Sequence, residues 1–186
     1  MDISVVITVP HSLCNTNVHQ RHCDSMAQEA ATSLYEMIPF EKHIILADMY
    51  RYDIDLNRDV SRNTHFRKQL SQLMHIPNKF ILVLDIHSFD EGYADAELVI
   101  LTGMPCKTGY IQRLYEKLRY NHVDVKIFDT LKSNDIYHEA SLLNLFCVLI
   151  EYSEYLQHDR LDFINQIITD WIDSELSNGI ILPDCY

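Results

Sequence analysis

Three apolar, β-branched runs end on side chains able to do chemistry. ISVVITV (3–9) runs into Pro10, His11 and Ser12, KFILVLDI (79–86) into His87 and Ser88, and FCVLI (146–150) into Glu151. Two imidazoles and a carboxylate suit a catalytic zinc ion, which takes three protein ligands and keeps a fourth position for water. A further carboxylate outside the ligand set can then take that water's proton. RHCDSMAQEAA offers two candidates for the third ligand: Asp24, at the opening of a helical pattern, and His22. A carboxylate inside a run as apolar as LFCVLIEYSEYL is costly unless it is paired or metal-associated, so Glu151 demands a partner. Taken singly, one histidine among ten is an ordinary surface or core residue, and Asp24 is a helix N-terminal charge favoured by the macrodipole.

A second concentration of charge is ADMYRYDIDLNRD (47–59), where two arginines, an asparagine and four aspartates interrupt what otherwise reads as extended chain.

The elements that would carry these residues are legible from periodicity. Buried strands are expected at 3–9, 43–47, 79–86, 97–102, 124–128 and 146–152. Helix spacing joins Cys23, Ala27, Ala30, Leu34 and Ile38, and then Phe66, Leu70, Leu73 and Met74 after the possible caps Asn63 and Thr64. Residues 108–121 repeat the pattern weakly, and 159–177 make a final amphipathic helix. Strands alternating with helices and covered on both faces imply an α/β fold, a three-layer sandwich around a mainly parallel, mixed sheet. No linker or repeat divides the 186 residues, which predicts one domain over 1–186. In such sheets ligands bind beyond the carboxyl ends of the strands, where all three polar endings would gather.

A formal charge of −12 without a basic run excludes a nucleic-acid or anionic-membrane surface and leaves a small molecule as the expected partner. The N-terminal stretch lacks a basic, secretory pattern and no segment is long enough to span a bilayer, so the expectation is a soluble, cytoplasmic protein. Five scattered cysteines, at 14, 23, 106, 147 and 185, predict reduced thiols.

The order VPHS, YRYDIDLNRD, DIHSF and VLIEYSEYL resembles the N-formylglutamate amidohydrolase family, whose fold and site are similar to those of zinc carboxypeptidases and succinylglutamate desuccinylases. The strongest element is Arg51-Tyr52 followed by Asp55-Leu56-Asn57-Arg58-Asp59. The resemblance implies a carboxypeptidase-like, phosphorylase/hydrolase-like fold, with one zinc ion on His11, Asp24 and His87 and with Glu151 as general base near Tyr155. It leads to a substrate with a free carboxylate, for which Arg58 offers a planar fork and Asn57 an amide donor, with Ser88 beside them. Arg51 would stabilise the oxyanion, and Asp53, Asp55 and Asp59 would orient the arginines. The sequence departs from the family at Leu13, where glycine is usual, and over DTLKSNDIYHEASLLN, where Lys132, Asn134, Tyr137 and His138 occupy the region of substrate contacts.

Zinc-dependent hydrolysis of an amide bond in a small acylated amino acid, N-formylglutamate-like, or in a short peptide is therefore the leading expectation. The alternatives are a metallo-carboxypeptidase, a non-catalytic binding protein of the same fold, and a cysteine hydrolase using Cys14 or Cys23 with His11 or His22.

Overall fold

The computed structural model describes residues 2–14, 23–90, 92–102, 108–128 and 134–177. Six strands, β1 (Asp2–Val9), β2 (Glu41–Leu46), β3 (Lys79–Phe89), β4 (Leu98–Leu101), β5 (Val125–Phe128) and β6 (Phe146–Ser153), form one sheet in the order β2-β1-β3-β6-β4-β5. β1, β2, β3 and β6 run parallel, whereas β4 is antiparallel to β6 and parallel to β5. The expected mixed, mainly parallel α/β sheet is what the chain forms.

Alternation along the strands divides the core. Val5, Ile7, Leu82, Leu84, Ile86, Val148 and Ile150 pack with α1 (Ser25–Met37), α3 (Thr108–Tyr120) and α5 (His158–Ser177). Val6, Ile81, Val83 and Cys147 face the other way, against α2 (His65–Met74) and α4 (Asp135–Leu142). Helices therefore cover both faces, but unequally. α5 has 20 residues, while α2 and α4 have 10 and 8.

The helix starts follow local chemistry. Thr64 caps α2 by accepting from the Arg67 N–H, and Asn134 caps α4 by accepting from the Tyr137 N–H at 2.8 Å. α4 lies within the segment that departs from the family pattern, and periodicity does not reveal it.

Two expectations are corrected here. Residues 47–59 are not extended: the stretch is a series of turns ending in a 3₁₀ turn at Asp59–Ser61, because Asp55 accepts from the Asn57 N–H at 3.0 Å and folds the backbone onto itself. Nor are Cys14 and Cys23 free thiols. The chain reverses after β1, the Asp24 N–H bonds the His11 carbonyl at 3.0 Å, and the two cysteines, with Cα atoms 5.2 Å apart, form a disulfide. Neither sulfur is then available as a nucleophile, which removes the cysteine-hydrolase reading. Cys147 is buried, and Cys106, Cys185, His22 and Lys132 lie outside the described residues. Among the described residues no helix is long and apolar enough to cross a membrane.

Candidate active site

The site grows from the strand alternation. Thr8, Asp85, His87, Leu149 and Glu151 fall on the face covered by α2 and α4, in register across β1, β3 and β6: Thr8 lies opposite Asp85, Asp85 opposite Leu149, and His87 opposite Glu151. His11 follows the end of β1. Asp24 occupies the N-cap position of α1 yet makes no capping hydrogen bond, its carboxylate being turned to the histidines instead.

His11 Nδ1 is 3.3 Å and His87 Nδ1 2.9 Å from the same oxygen, Asp24 Oδ2, and the two rings meet edge to face with centroids 5.0 Å apart. Ligand atoms of His11, Asp24 and His87 all lie within 4.8 Å of one another, so one ion can reach the three. The far side of each ring is also held. His11 Nε2 is 2.8 Å from Asp55 Oδ1, and His87 Nε2 is 3.3 Å from Asp85 Oδ2. Without an ion each imidazole donates from Nδ1 to Asp24, and the carboxylate behind each Nε2 can hold a proton on that side when an ion takes the Nδ1 atoms, the outer-shell arrangement that ligating histidines require. Two nitrogens and one carboxylate oxygen, so presented, fit zinc.

Asp85 is itself fully buried and accepts from Thr8 Oγ1 at 2.8 Å and from Asn134 Nδ2 at 2.7 Å. Burial pushes its carboxyl up, but the charge of His87 and the three hydrogen bonds prevail and hold it low. Burial likewise opposes ionisation of Asp24, yet hydrogen bonds from His11 and His87 keep it well below the usual carboxylate range. For His87 burial favours the neutral ring; Asp85 and Asp24 reverse this and raise it to about 10. In Asp55 the same contest, settled by the His11 hydrogen bond, brings the carboxyl to about 2.

The turns of 47–59 bring Arg51, Asn57 and Arg58 to the same place. Arg51 Nη1 is 3.5 Å from Asp24 Oδ1, and Arg58 Nε is 3.5 Å from Asp55 Oδ2. Asp55 thus orients both His11 and Arg58, whereas Asp59 pairs with Arg62 and Asp53 is exposed. The Asn57 amide lies 3.1 Å from His87 Nε2, and its Oδ1 is buried without a partner.

A cavity of about 210 Å³ is bounded by Arg51, Asn57 and Arg58 on one side, His11, His87, Asn134 and Glu151 at its centre, and Tyr93, Leu101 and Leu149 on the other. Burial raises the Glu151 carboxyl to about 7; His87 opposes this, and the charges of Asp24 and Asp85 add to it. Glu151 is therefore next to the triad without being one of the atoms that converge on Asp24.

Ser88 does not join the cavity. Alternation turns it to the opposite face from His87, where its hydroxyl donates to Glu154 Oε1 at 3.0 Å. Tyr155 is exposed, Tyr137 is buried in the α2/α4 core, and His138 lines a separate cavity between those helices. The positions of Thr8, Tyr93, Leu101 and Leu149, and the hydrogen bond from Asn134 to Asp85, depend on register and on α4, and the sequence signals only that Thr8 and Leu101 lie near the ends of expected strands.

No protein-family model matches the chain, and no curated protein matches it. Solved structures do. A gene product of Agrobacterium tumefaciens superposes with a TM-score of 0.75 at 16% identity, covering 96% of this chain and 90% of that one. An N-formylglutamate amidohydrolase from Ralstonia eutropha JMP134 gives 0.66 at 15%, covering 96% and 95%, and an N-acetylmuramoyl-L-alanine amidase from Clostridium difficile 630 gives 0.61 at 14%, covering 95% and 97%. At these identities the likeness is one of fold: the chain has the α/β fold found in amidases and amidohydrolases.

Proposed function

We propose that this protein hydrolyses the amide bond of a small N-acyl amino acid, using a single zinc ion held by His11, Asp24 and His87. The observation that carries the reading is the placement of Glu151, a half-desolvated carboxylate raised to about 7 and in register with His87, beside three ligand atoms that converge on one point. The fold shared with an amidohydrolase and an amidase supports it.

Zinc bound there supplies a Lewis acid and a water of lowered pKa. The chain's own groups do the rest. Glu151 accepts the water's proton and delivers it to the departing nitrogen, a role for which a pKa near neutrality is suited. Arg58, with its fork, and the Asn57 amide bind the substrate's carboxylate, while Arg51, which borders the same cavity 3.5 Å from Asp24, stabilises the oxyanion. Asp55 and Asp85 keep both imidazoles in the ligating tautomer.

The cavity has room for a substrate of this size. About 210 Å³ accommodates one acylated amino acid. The test is metal analysis of the purified protein together with amine release from N-acyl amino acids. About one zinc per chain is expected, with activity lost on chelation and restored by zinc. Undiminished hydrolysis in the chelated, metal-free protein refutes the reading.

A further inference from the structure

The cavity is chemically divided along the sheet. On the β1 side stand the two arginines and Asn57. On the β6–β4 side stand Leu149 and Leu101, register partners across the antiparallel pair, only 4% and 7% exposed. With Phe89 and Val99 these leucines form one apolar cluster, against which Ala94 and Phe128 pack, and the Tyr93 ring contacts Phe89 and Phe128 at 5.7 and 6.1 Å. Neither the metal ligands nor the carboxylate-binding groups use this wall.

An N-acyl amino acid is linear in the relevant sense: carboxylate and nitrogen lie on one side of the scissile carbonyl, the acyl chain on the other. With the carboxylate at Arg58 and the carbonyl between His87 and Glu151, the acyl chain continues toward Leu149. Leu149 precedes Glu151 by two residues on the same strand, about 7 Å at the usual rise. A formyl group has no carbon beyond the carbonyl with which to contact that wall. An acyl chain of roughly three to five carbons reaches it.

Resting on the amide-hydrolase reading above, we propose that Tyr93, Leu101 and Leu149 form an acyl-binding site, and that the substrates are N-acyl amino acids whose acyl group is uncharged and apolar. In the reaction the acyl C–N bond breaks, the water oxygen bonds to the acyl carbon, and the proton taken by Glu151 passes to the leaving nitrogen. A fatty or aromatic carboxylate and a free amino acid are released. An acidic acyl group such as succinyl would bury its second carboxylate against two leucines.

The experiment measures kcat/KM of the zinc-loaded protein on the N-formyl, N-acetyl, N-propionyl, N-butyryl and N-succinyl derivatives of one amino acid. The expected ladder rises by up to about fourfold per methylene from acetyl to butyryl, with succinyl about tenfold or more below butyryl. Leu101→Ala is expected to lower turnover of the butyryl derivative more than that of the formyl derivative, flattening the ladder. Hydrolysis in which formyl or succinyl is preferred overturns the acyl site and leaves the amide-hydrolase reading standing. Turnover of none of the five, with one zinc bound per chain, overturns the hydrolase reading and the acyl site with it.

Discussion

The two faces of the sheet, compared at the same height, show how one pair of strands serves both stability and chemistry. In β3 and β6, Ile86 and Ile150 point into the layer of α1, α3 and α5 and are fully buried in apolar surroundings. Their neighbours Asp85, His87 and Glu151 point to the other face, where the covering helices are half the length of α5 or less and a cavity remains. The difference teaches that the site needs no special backbone. Strand alternation supplies opposite environments to adjacent residues, and short helices leave one of them open.

The largest effect should come from the open face. Glu151→Gln keeps the side chain's shape and removes its proton acceptor, so amide hydrolysis should fall by about a hundred- to ten-thousandfold while zinc content stays at the wild-type value. Loss of zinc in this variant would make Glu151 a ligand, and the comparison would then need a four-ligand site.

One residue away, Ile150→Ala should do the reverse. A fully buried isoleucine truncated in the closed layer should cost about 2 to 5 kcal/mol of unfolding free energy in a denaturant titration. Zinc affinity, measured by competition with a chelator, should change little. A loss of zinc comparable to that of a ligand mutant would show that the faces are not separable.

Asn134→Ser sharpens the account of the open face. Serine still caps α4, but it is too short to keep the 2.7 Å hydrogen bond to Asp85. Zinc affinity should therefore weaken by about tenfold, the lower end for an outer-shell partner, while the thermal midpoint of the metal-free protein stays close to wild type. An unchanged affinity would mean that Thr8 alone suffices to hold Asp85.

The smallest effect is a pH-dependent one. Glu151 is raised from 4.5 to about 7 in the folded, metal-free chain, so folding takes up a proton between those values. Stability is then highest, as far as this group is concerned, below pH 4.5 and declines as pH rises through 7. Glu151→Gln removes this group's share of the decline and leaves that of His87, which acts at higher pH. The metal-free variant should gain on wild type across that interval, reaching roughly 1 to 3 kcal/mol and then levelling off. A difference that does not vary with pH would place Glu151 in water and not in the cavity.

Most of the strands and helices were readable from residue patterns, since β-branched runs and 3.6-residue spacing are local properties. α4 was not, because eight residues with Ile136, Tyr137 and Ala140 as the buried set give too short a period to stand out among charged neighbours. The turns of 47–59 were misread for a related reason: Tyr52 and Ile54 favour strands, and what folds the segment is the Asp55 side chain bonding its own backbone.

For the site, residue type and strand endings already singled out His11, His87 and Glu151, with Asp24 or His22 as the third candidate ligand, because those properties belong to the side chains themselves, and the resemblance to a known family added Arg51, Asn57 and Arg58. Only the tertiary structure decided which of them meet. It set Asp24 between the two Nδ1 atoms, assigned Asp55 and Asp85 to the Nε2 atoms, and sent Ser88 to the wrong face. It also joined Cys14 to Cys23 and placed Leu149 and Leu101 side by side as a wall. Each of these depends on strand register or on contacts between residues far apart in the chain, and a single-residue slip of register would exchange every inward and outward side chain.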